Sequence, residues 1–298
     1  MDGHPLLRIG TCSWKYDSWK GLVYDSERVY GADDYLADYA RHYSTVEIDQ
    51  WFWSLFPGGV RLPDPAVVRR YAESVPDDFL FTVKAPNALT LTHPYARQPK
   101  DAGAVASQPN PQFLNPDLLA QVLERLRPLG GKLGSLMFQF EYLNRQKMPS
   151  RDAFLERLGA FLARAPQGIP YAVEIRNPNY ISEPFFRLLE AHRVGYVYLE
   201  GYFMPPIRDV FERYRPAVGD HGVIRLHGPD RKGIEEQAGG TWNRIVTPHP
   251  EGIEAALAIY EANREHAIRT FVNVNNHFEG SAPLTLLRLL ERLRPSIP

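Results

Sequence analysis

The sequence predicts a single (β/α)8 barrel of the TIM type spanning residues 1–298, and three observations carry that expectation. Short runs of β-type apolar residues alternate with longer stretches at helical spacing from one end of the chain to the other. The short runs number eight, which suits a closed barrel better than an open sheet. They recur about every 38 residues, enough for a strand, a helix and two loops.

Strands are expected at 6–11, 45–48, 80–85, 133–140, 171–175, 194–199, 222–227 and 267–274. The first helix should start at Asp33 and Asp34, an acidic cap ahead of Tyr35, Tyr39 and Tyr43 on one stripe. Further helices read at 65–75, 116–127, 151–165, 184–192, 252–264 and 283–293, several with proline near the first turn, where its missing N–H costs nothing. The stretches 86–115 and 228–250 are long, weakly periodic and follow strands, so they read as βα loops. The polar content of the first, near Thr92 to Asp101, suggests a mobile lid.

Composition narrows the class of function. The chain is 44% hydrophobic and 23% charged, which excludes a disordered or collagen-like protein. Its 34 Lys plus Arg against 35 Asp plus Glu leave a formal charge of −1, so coating nucleic acid or a membrane by bulk charge is not expected. Cys12 is the sole cysteine, which leaves no intrachain disulfide and makes a reducing, cytoplasmic location the default. Neither a signal peptide nor an apolar run long enough to span a membrane is visible.

The strand alternation separates an outward apolar set from an inward polar one. The inward set is Glu47 and Asp49 in the second strand, Thr82 and Lys84 in the third, Gln139 in the fourth, Glu174 and Arg176 in the fifth, Glu200 in the sixth, Arg225 and His227 in the seventh, and Asn273 and Asn275 in the eighth. Barrel interiors are ordinarily apolar, so polar groups repeated near the C-terminal strand ends read as a site. The bland reading is a ring of mutually satisfied ion pairs closing the barrel mouth, with Asp49 and Arg176 serving as caps or loop anchors. Trp14, Tyr16 and Trp51 lie at the same end and could stack on a base or sugar, while Phe52 and Trp19 read as plugs.

Named motifs are absent: no dinucleotide fingerprint, P-loop, zincin helix or nucleophile elbow occurs. A magnesium or manganese ion on Glu47, Glu174 and His227 is one option. Cys12 reads either as a nucleophile near His227 or as a small buried thiol.

Several segments taken together resemble one family, domain of unknown function 72, also called YecE-like. They are Ile9-Gly10-Thr11 with Trp14 and Trp19, Val46-Glu47-Ile48, Phe81 to Pro86, Phe138-Gln139, Val173 to Arg176, Arg225 to Gly228, and Asn275-Asn276 with Gly280. Cys12-Ser13, Asp49-Gln50 and Asn177 to Tyr180 depart from the family's usual loop residues. The resemblance implies a TIM-like barrel over residues 9–293 and names no reaction.

The resulting expectation is an enzyme of hydrolase or isomerase type with a pocket at the C-terminal strand ends. Glu47 and Glu174 would act as acid, base or metal ligands and His227 would carry a proton. Lys84, Arg176 and Arg225 would hold an anionic group, with phosphate beside Arg225 and His227. Thr11, Trp14, Asp49, Gln139, Glu200, Asn273 and Asn275 would orient a small, phosphorylated, sugar- or nucleotide-like substrate. The alternative is a non-catalytic module that captures an exposed base or phosphate of nucleic acid. A glycosidase using two carboxylates is a third option, decided by the spacing of Glu47 and Glu174.

Overall fold

A computed structural model describes residues 4–31, 34–56, 59–94, 108–215 and 219–293. Eight parallel strands form the wall of a barrel: β1 (Leu7–Thr11), β2 (Thr45–Ile48), β3 (Leu80–Lys84), β4 (Leu133–Gln139), β5 (Tyr171–Glu174), β6 (Gly195–Gly201), β7 (His221–Gly228) and β8 (Arg269–Val274). The hydrogen-bonded order runs β1, β8, β7, β6, β5, β4, β3, β2, so β2 to β8 pair in sequence order, β8 pairs with β1, and the β1–β2 seam has only the isolated bridge Cys12–Glu47 in place of a regular ladder. This is the expected TIM-like barrel.

The helices are α1 (Asp34–Tyr39), α2 (Pro65–Glu73), α3 (Pro116–Leu126), α4 (Arg151–Arg164), α5 (Glu183–Ala191), α6 (Ile207–Tyr214), α7 (Arg231–Ala238), α8 (Pro250–Glu265) and α9 (Ala282–Leu293). Caps explain several starts: the side chains of Asp64, Asn115 and Ser150 accept N–H groups of the first turns of α2, α3 and α4. Two helices were not expected. Helix α6 fills the gap after β6, and α7 lies inside the 228–250 stretch, started by Asp230 and stopped by left-handed Gly239. Both are only eight residues long, two turns of apolar spacing that a longer window averages away.

Asp33 and residues 95–107, the centre of the proposed lid, lie outside the described residues. The flanks of that stretch are anchored by apolar packing and amides. Leu89, Leu91, Phe113 and Leu114 are buried. Asn87 Oδ1 accepts from Ser54 and Leu55, and Asn110 Nδ2 donates to the carbonyls of Ala88 and Leu91.

The lumen is stratified. Leu80, Met137, Ala172, Val197, Val223 and Phe271 form an apolar layer inside the wall. Phe271 reaches across because Gly134 faces it; a Cβ there would lie 2.6 Å from the ring. The larger apolar core lies between wall and helices. Above the inner layer, toward the C-terminal ends, the same strands turn polar.

At the seam, β1 and β2 approach too closely for side chains. A Cβ on Gly10 would fall 1.9 Å from the Thr45 carbonyl oxygen. The Tyr39 hydroxyl of α1 stitches this edge, accepting from the Thr11 N–H (2.8 Å) and donating to Thr45 O (3.0 Å).

Candidate functional site

Arg225 stands at the centre of the polar layer. Strand alternation points Val223, Arg225 and His227 into the lumen and Ile224 and Leu226 toward the helices. The guanidinium is 2% exposed. It binds Glu47 through two bonds, Nε to Oε2 at 2.7 Å and Nη2 to Oε1 at 2.8 Å. Its Nη1 donates to Glu174 Oε2 and, at 3.2 Å, to Gln139 Oε1. Burial disfavours the Arg225 charge, but Glu174 and Glu47 outweigh it and raise its pKa above the usual guanidinium value. For Glu174, burial pushes the carboxyl up, while Arg225 and Arg176 together hold it below the usual range. Both residues are therefore ionised at neutral pH.

A second circuit surrounds the first. Arg176 Nε donates to Glu174 Oε1 at 2.8 Å, and its guanidinium lies over the Tyr202 ring, 4.6 Å from the centroid. The Tyr202 hydroxyl lies 3.1 Å from His227 Nδ1. His227 Nε2 lies 3.6 Å from Cys12 Sγ, which is also 3.6 Å from Glu47 Oε2. Burial and then Arg225, Arg176 and Lys84 push the His227 pKa well below its ordinary value, so the ring is neutral. Burial and Glu47 push the Cys12 thiol well up, so it stays protonated, unlike an activated nucleophile. One proton direction satisfies the series: Tyr202 O–H to Nδ1, Nε2–H to sulfur, and S–H to Glu47.

Lys84 completes the layer. Its ammonium sits 4.1 Å from the Phe52 ring centroid, and burial followed by Arg225 lowers its pKa against the pull of Glu47 and Asp49. Asp49 is raised by burial and then by Glu47, with Lys84 opposing. Three cations, Arg225, Arg176 and Lys84, thus face three carboxylates, Glu47, Glu174 and Asp49.

The remaining sequence candidates lie elsewhere. Thr11 faces α1 and bonds Tyr39 and the Ser13 carbonyl. Glu200 points toward the helices, where its carboxylate accepts the Ile207 N–H at the start of α6 (2.9 Å). A one-residue register shift between β6 and β7 falls at the Glu200–Gly201 step. Trp14 is 2% exposed and packs edge-on to Tyr71, leaving no open face for a ligand. Asn273 lies beneath the charged layer, bonding Thr82 Oγ1 at 2.8 Å. Asn275 turns into the following loop, accepting the His277 N–H. The space between Glu47 and Glu174 holds the Arg225 guanidinium, which displaces both the metal geometry and the sugar-binding gap considered for that pair. Among the described residues, no three His, Cys, Asp or Glu side chains group to hold a metal.

The layer borders a groove of about 720 Å³ at the C-terminal face, walled by Glu141, Tyr142, Arg176, Asn179, Tyr202 and Phe203. Tyr142 and Phe203 are exposed, and Glu141 is paired with Lys147 at 2.6 Å. The sequence reading did not single out Tyr202, Tyr142 or Phe203, which sit on loops past the strand ends. Tyr202 is brought over His227 by a close approach of β6 and β7. A Cβ on Gly201 would meet Gly228 O at 2.2 Å, and the Tyr202 N–H bonds that same carbonyl at 3.0 Å.

Fold and site define a TIM-like barrel with a buried ionic centre beneath a groove at the C-terminal strand ends. The chain belongs to the family described as protein of unknown function DUF72, which it matches over residues 8–297. It is 26% identical over 237 residues to the UPF0759 protein YecE of Escherichia coli O157:H7, covering 75% of this chain and 72% of that one. The UPF0759 protein YecE of Escherichia coli strain K12 gives the same figures. Among solved structures, a DUF72 family protein of Thermotoga maritima superposes with a TM-score of 0.65 at 19% identity, covering 97% of this chain and 99% of that one. A DUF72 family protein of Enterococcus faecalis gives 0.63 at 18%, covering 98% and 97%. These likenesses agree with the barrel. No helix of the described residues is long and apolar enough to cross a membrane.

Proposed function

We propose that the protein is an enzyme of hydrolase or isomerase type, acting in the groove at the C-terminal strand ends on an anionic substrate with a flat ring. The observation that carries this reading is the Arg176–Tyr202 pair on the groove wall with buried His227 behind it. Arg176 retains donors beyond the one given to Glu174, and it is the only cation on that wall among the described residues. Tyr142, Tyr202 and Phe203 supply aromatic faces, which favours a nucleotide-like body over a bare sugar.

Tyr202 is the group placed to exchange a proton with the substrate, and neutral His227 accepts or returns that proton behind it. Glu47 and Glu174 act through Arg225 and Arg176 as positioning residues rather than as the acid and base themselves. The low-dielectric setting, floored by the apolar layer, strengthens each of these interactions. The competing reading, capture of an exposed base or phosphate without chemistry, is supported by the same aromatic faces and by an Arg225 already saturated with protein partners.

Calorimetry with a nucleoside monophosphate and its parent nucleoside, paired with mass spectrometry of the incubated mixture, tests both. Tighter binding of the phosphorylated form, lost in Arg176→Gln and accompanied by turnover that His227→Asn abolishes, supports the enzyme. Binding with no turnover assigns a capture module. Equal binding of both forms overturns the anion assignment.

A further inference from the structure

At the opposite end of the barrel, the N-terminal ends of β1, β2 and β3 enclose a cavity of about 480 Å³ that the preceding reading does not use. Its wall carries Arg8, Arg41, His4, His42 and Ser44, and its one carboxylate among the described residues is Asp78. Arg8 is the second residue of β1 and aligns with Phe271 on the lumen-facing phase of the barrel. Its Nε is buried with no hydrogen-bond partner. Among the described residues its only ion-pair neighbour is Asp78, 3.9 Å from Nη1 and 82% exposed, too distant and too solvated to compensate a half-buried guanidinium. Burial and the like charge of Arg269 push the Arg8 pKa down, a sign that this cation is short of a counter-charge.

A buried donor left unpaired is costly, and native structures ordinarily satisfy such groups with protein, water or an ion. Three of the polar neighbours, Arg41, His42 and Ser44, are of the type that would complete an oxyanion shell. Arg41 is exposed and reaches only loosely to Asp38, at 3.7 Å. His42 is exposed, and the Ser44 hydroxyl, which accepts the Ile9 N–H at 3.3 Å, keeps its own proton to donate.

We propose that this cavity binds a phosphoryl oxyanion, with Arg8 as the principal ligand and Arg41 and His42 closing over it. A guanidinium fork matches tetrahedral oxyanions better than a point charge does. The cavity falls in the size range of small-molecule pockets, which leaves space for the organic part of a phosphate monoester. About 13 Å of strand separates Arg8 from Cys12, so the site is distinct from the groove at the other face.

Two phosphate sources share this chemistry, and calorimetry with inorganic phosphate and with glycerol phosphate separates them. The native protein should bind at least one of the two, and Arg8→Gln should weaken that binding about tenfold or more. Arg187→Gln, which alters an exposed cation of α5 outside both sites, should leave it unchanged. Tighter binding of the ester identifies the phosphoryl group of a larger molecule; equal or weaker binding identifies free phosphate. The exposed pair Arg41→Gln/His42→Gln does not touch the interior and should lower affinity severalfold even if Arg8→Gln fails to fold. Absence of binding to the native protein at millimolar concentrations of either compound, or unchanged affinity in that pair, overturns the proposal.

Discussion

Tyr202 covers His227 from the loop after β6, its hydroxyl 3.1 Å from Nδ1 and the two ring centroids 5.6 Å apart. Because Arg176 lies on the Tyr202 ring, one side chain couples the groove's cation to the buried imidazole. The coupling depends on Tyr202 holding a left-handed backbone, φ 55°, beside Gly201 at φ 125°.

Removing only the hydroxyl should separate the two roles of this ring. Tyr202→Phe keeps the face that carries Arg176, so unfolding free energy should change by no more than about 1.5 kcal/mol, the net value of one hydrogen bond. The imidazole loses the partner on Nδ1. Nitrogen NMR of His227 should therefore show a changed tautomer balance in Tyr202→Phe, whereas an unaltered spectrum would remove the link between loop and histidine.

Arg225 should behave as a keystone. Arg225→Met leaves Glu47 and Glu174 buried and without their shared partner, a loss on the order of 3–5 kcal/mol. Replacing the whole set, Arg225→Met with Glu47→Gln and Glu174→Gln, removes the stranded charges and should recover much of that loss. Urea unfolding of the three proteins checks the order of stabilities. A single variant as stable as the native protein would show that the carboxylates have other means of compensation.

Stability should fall on mild acidification because two histidines are buried neutral. His221 accepts or donates one bond with Ser135 Oγ at 3.0 Å, and burial, then Arg269, lowers its pKa to about 4. In the unfolded chain the same ring titrates near 6.5, so the unfolded state takes up the proton first. The stability this contributes is complete above about 6.5 and is lost as pH falls toward about 4. His227, also pushed down, adds loss of the same sign. Urea midpoints measured across that window should drop, and His221→Gln should flatten part of the slope. An equal slope in the variant would place the acid sensitivity elsewhere.

The fold was legible because each strand alternates and each long helix spans several turns. Val46 and Ile48 around Glu47, or Ile224 and Leu226 around Arg225, reveal their facing without coordinates. The same alternation brought Glu47, Lys84, Gln139, Glu174, Arg225 and His227 to one layer. Alternation does not support Thr11 as a site residue, since the odd phase of β1 faces α1. Glu200 lies on the helix-facing phase with Tyr198 as well, paired with Leu226 one step before the β6–β7 register shifts. Neither a register shift nor a left-handed tyrosine has a composition signal, so Tyr202 and the groove beside it emerge only from coordinates. The pairing of charges was also hidden, since alternation gives facing but not which donor meets which acceptor. Arg225, expected to await a ligand phosphate, directs four donor contacts at protein oxygens.

The β1–β2 seam makes the sharpest stability prediction, since two residues there act by different physics. Tyr39→Phe keeps the ring in the core but deletes the oxygen that accepts the Thr11 N–H and donates to Thr45 O. An orphaned buried N–H should cost about 1–3 kcal/mol. Gly10→Ala is expected to be worse, above about 4 kcal/mol, because the added methyl would sit 1.9 Å from a backbone oxygen that cannot move without opening the barrel. Backbone conformation is not the cause, since Gly10 is absent from the positive-φ glycines. Gly131, with nothing within 4 Å of its added Cβ, serves as the control, and Gly131→Ala should be neutral or stabilise by up to about 1 kcal/mol. Denaturant unfolding of the three variants gives the comparison. If Gly10→Ala were no worse than Gly131→Ala, strands β1 and β2 would have to separate freely in solution, and the barrel would be open at its seam.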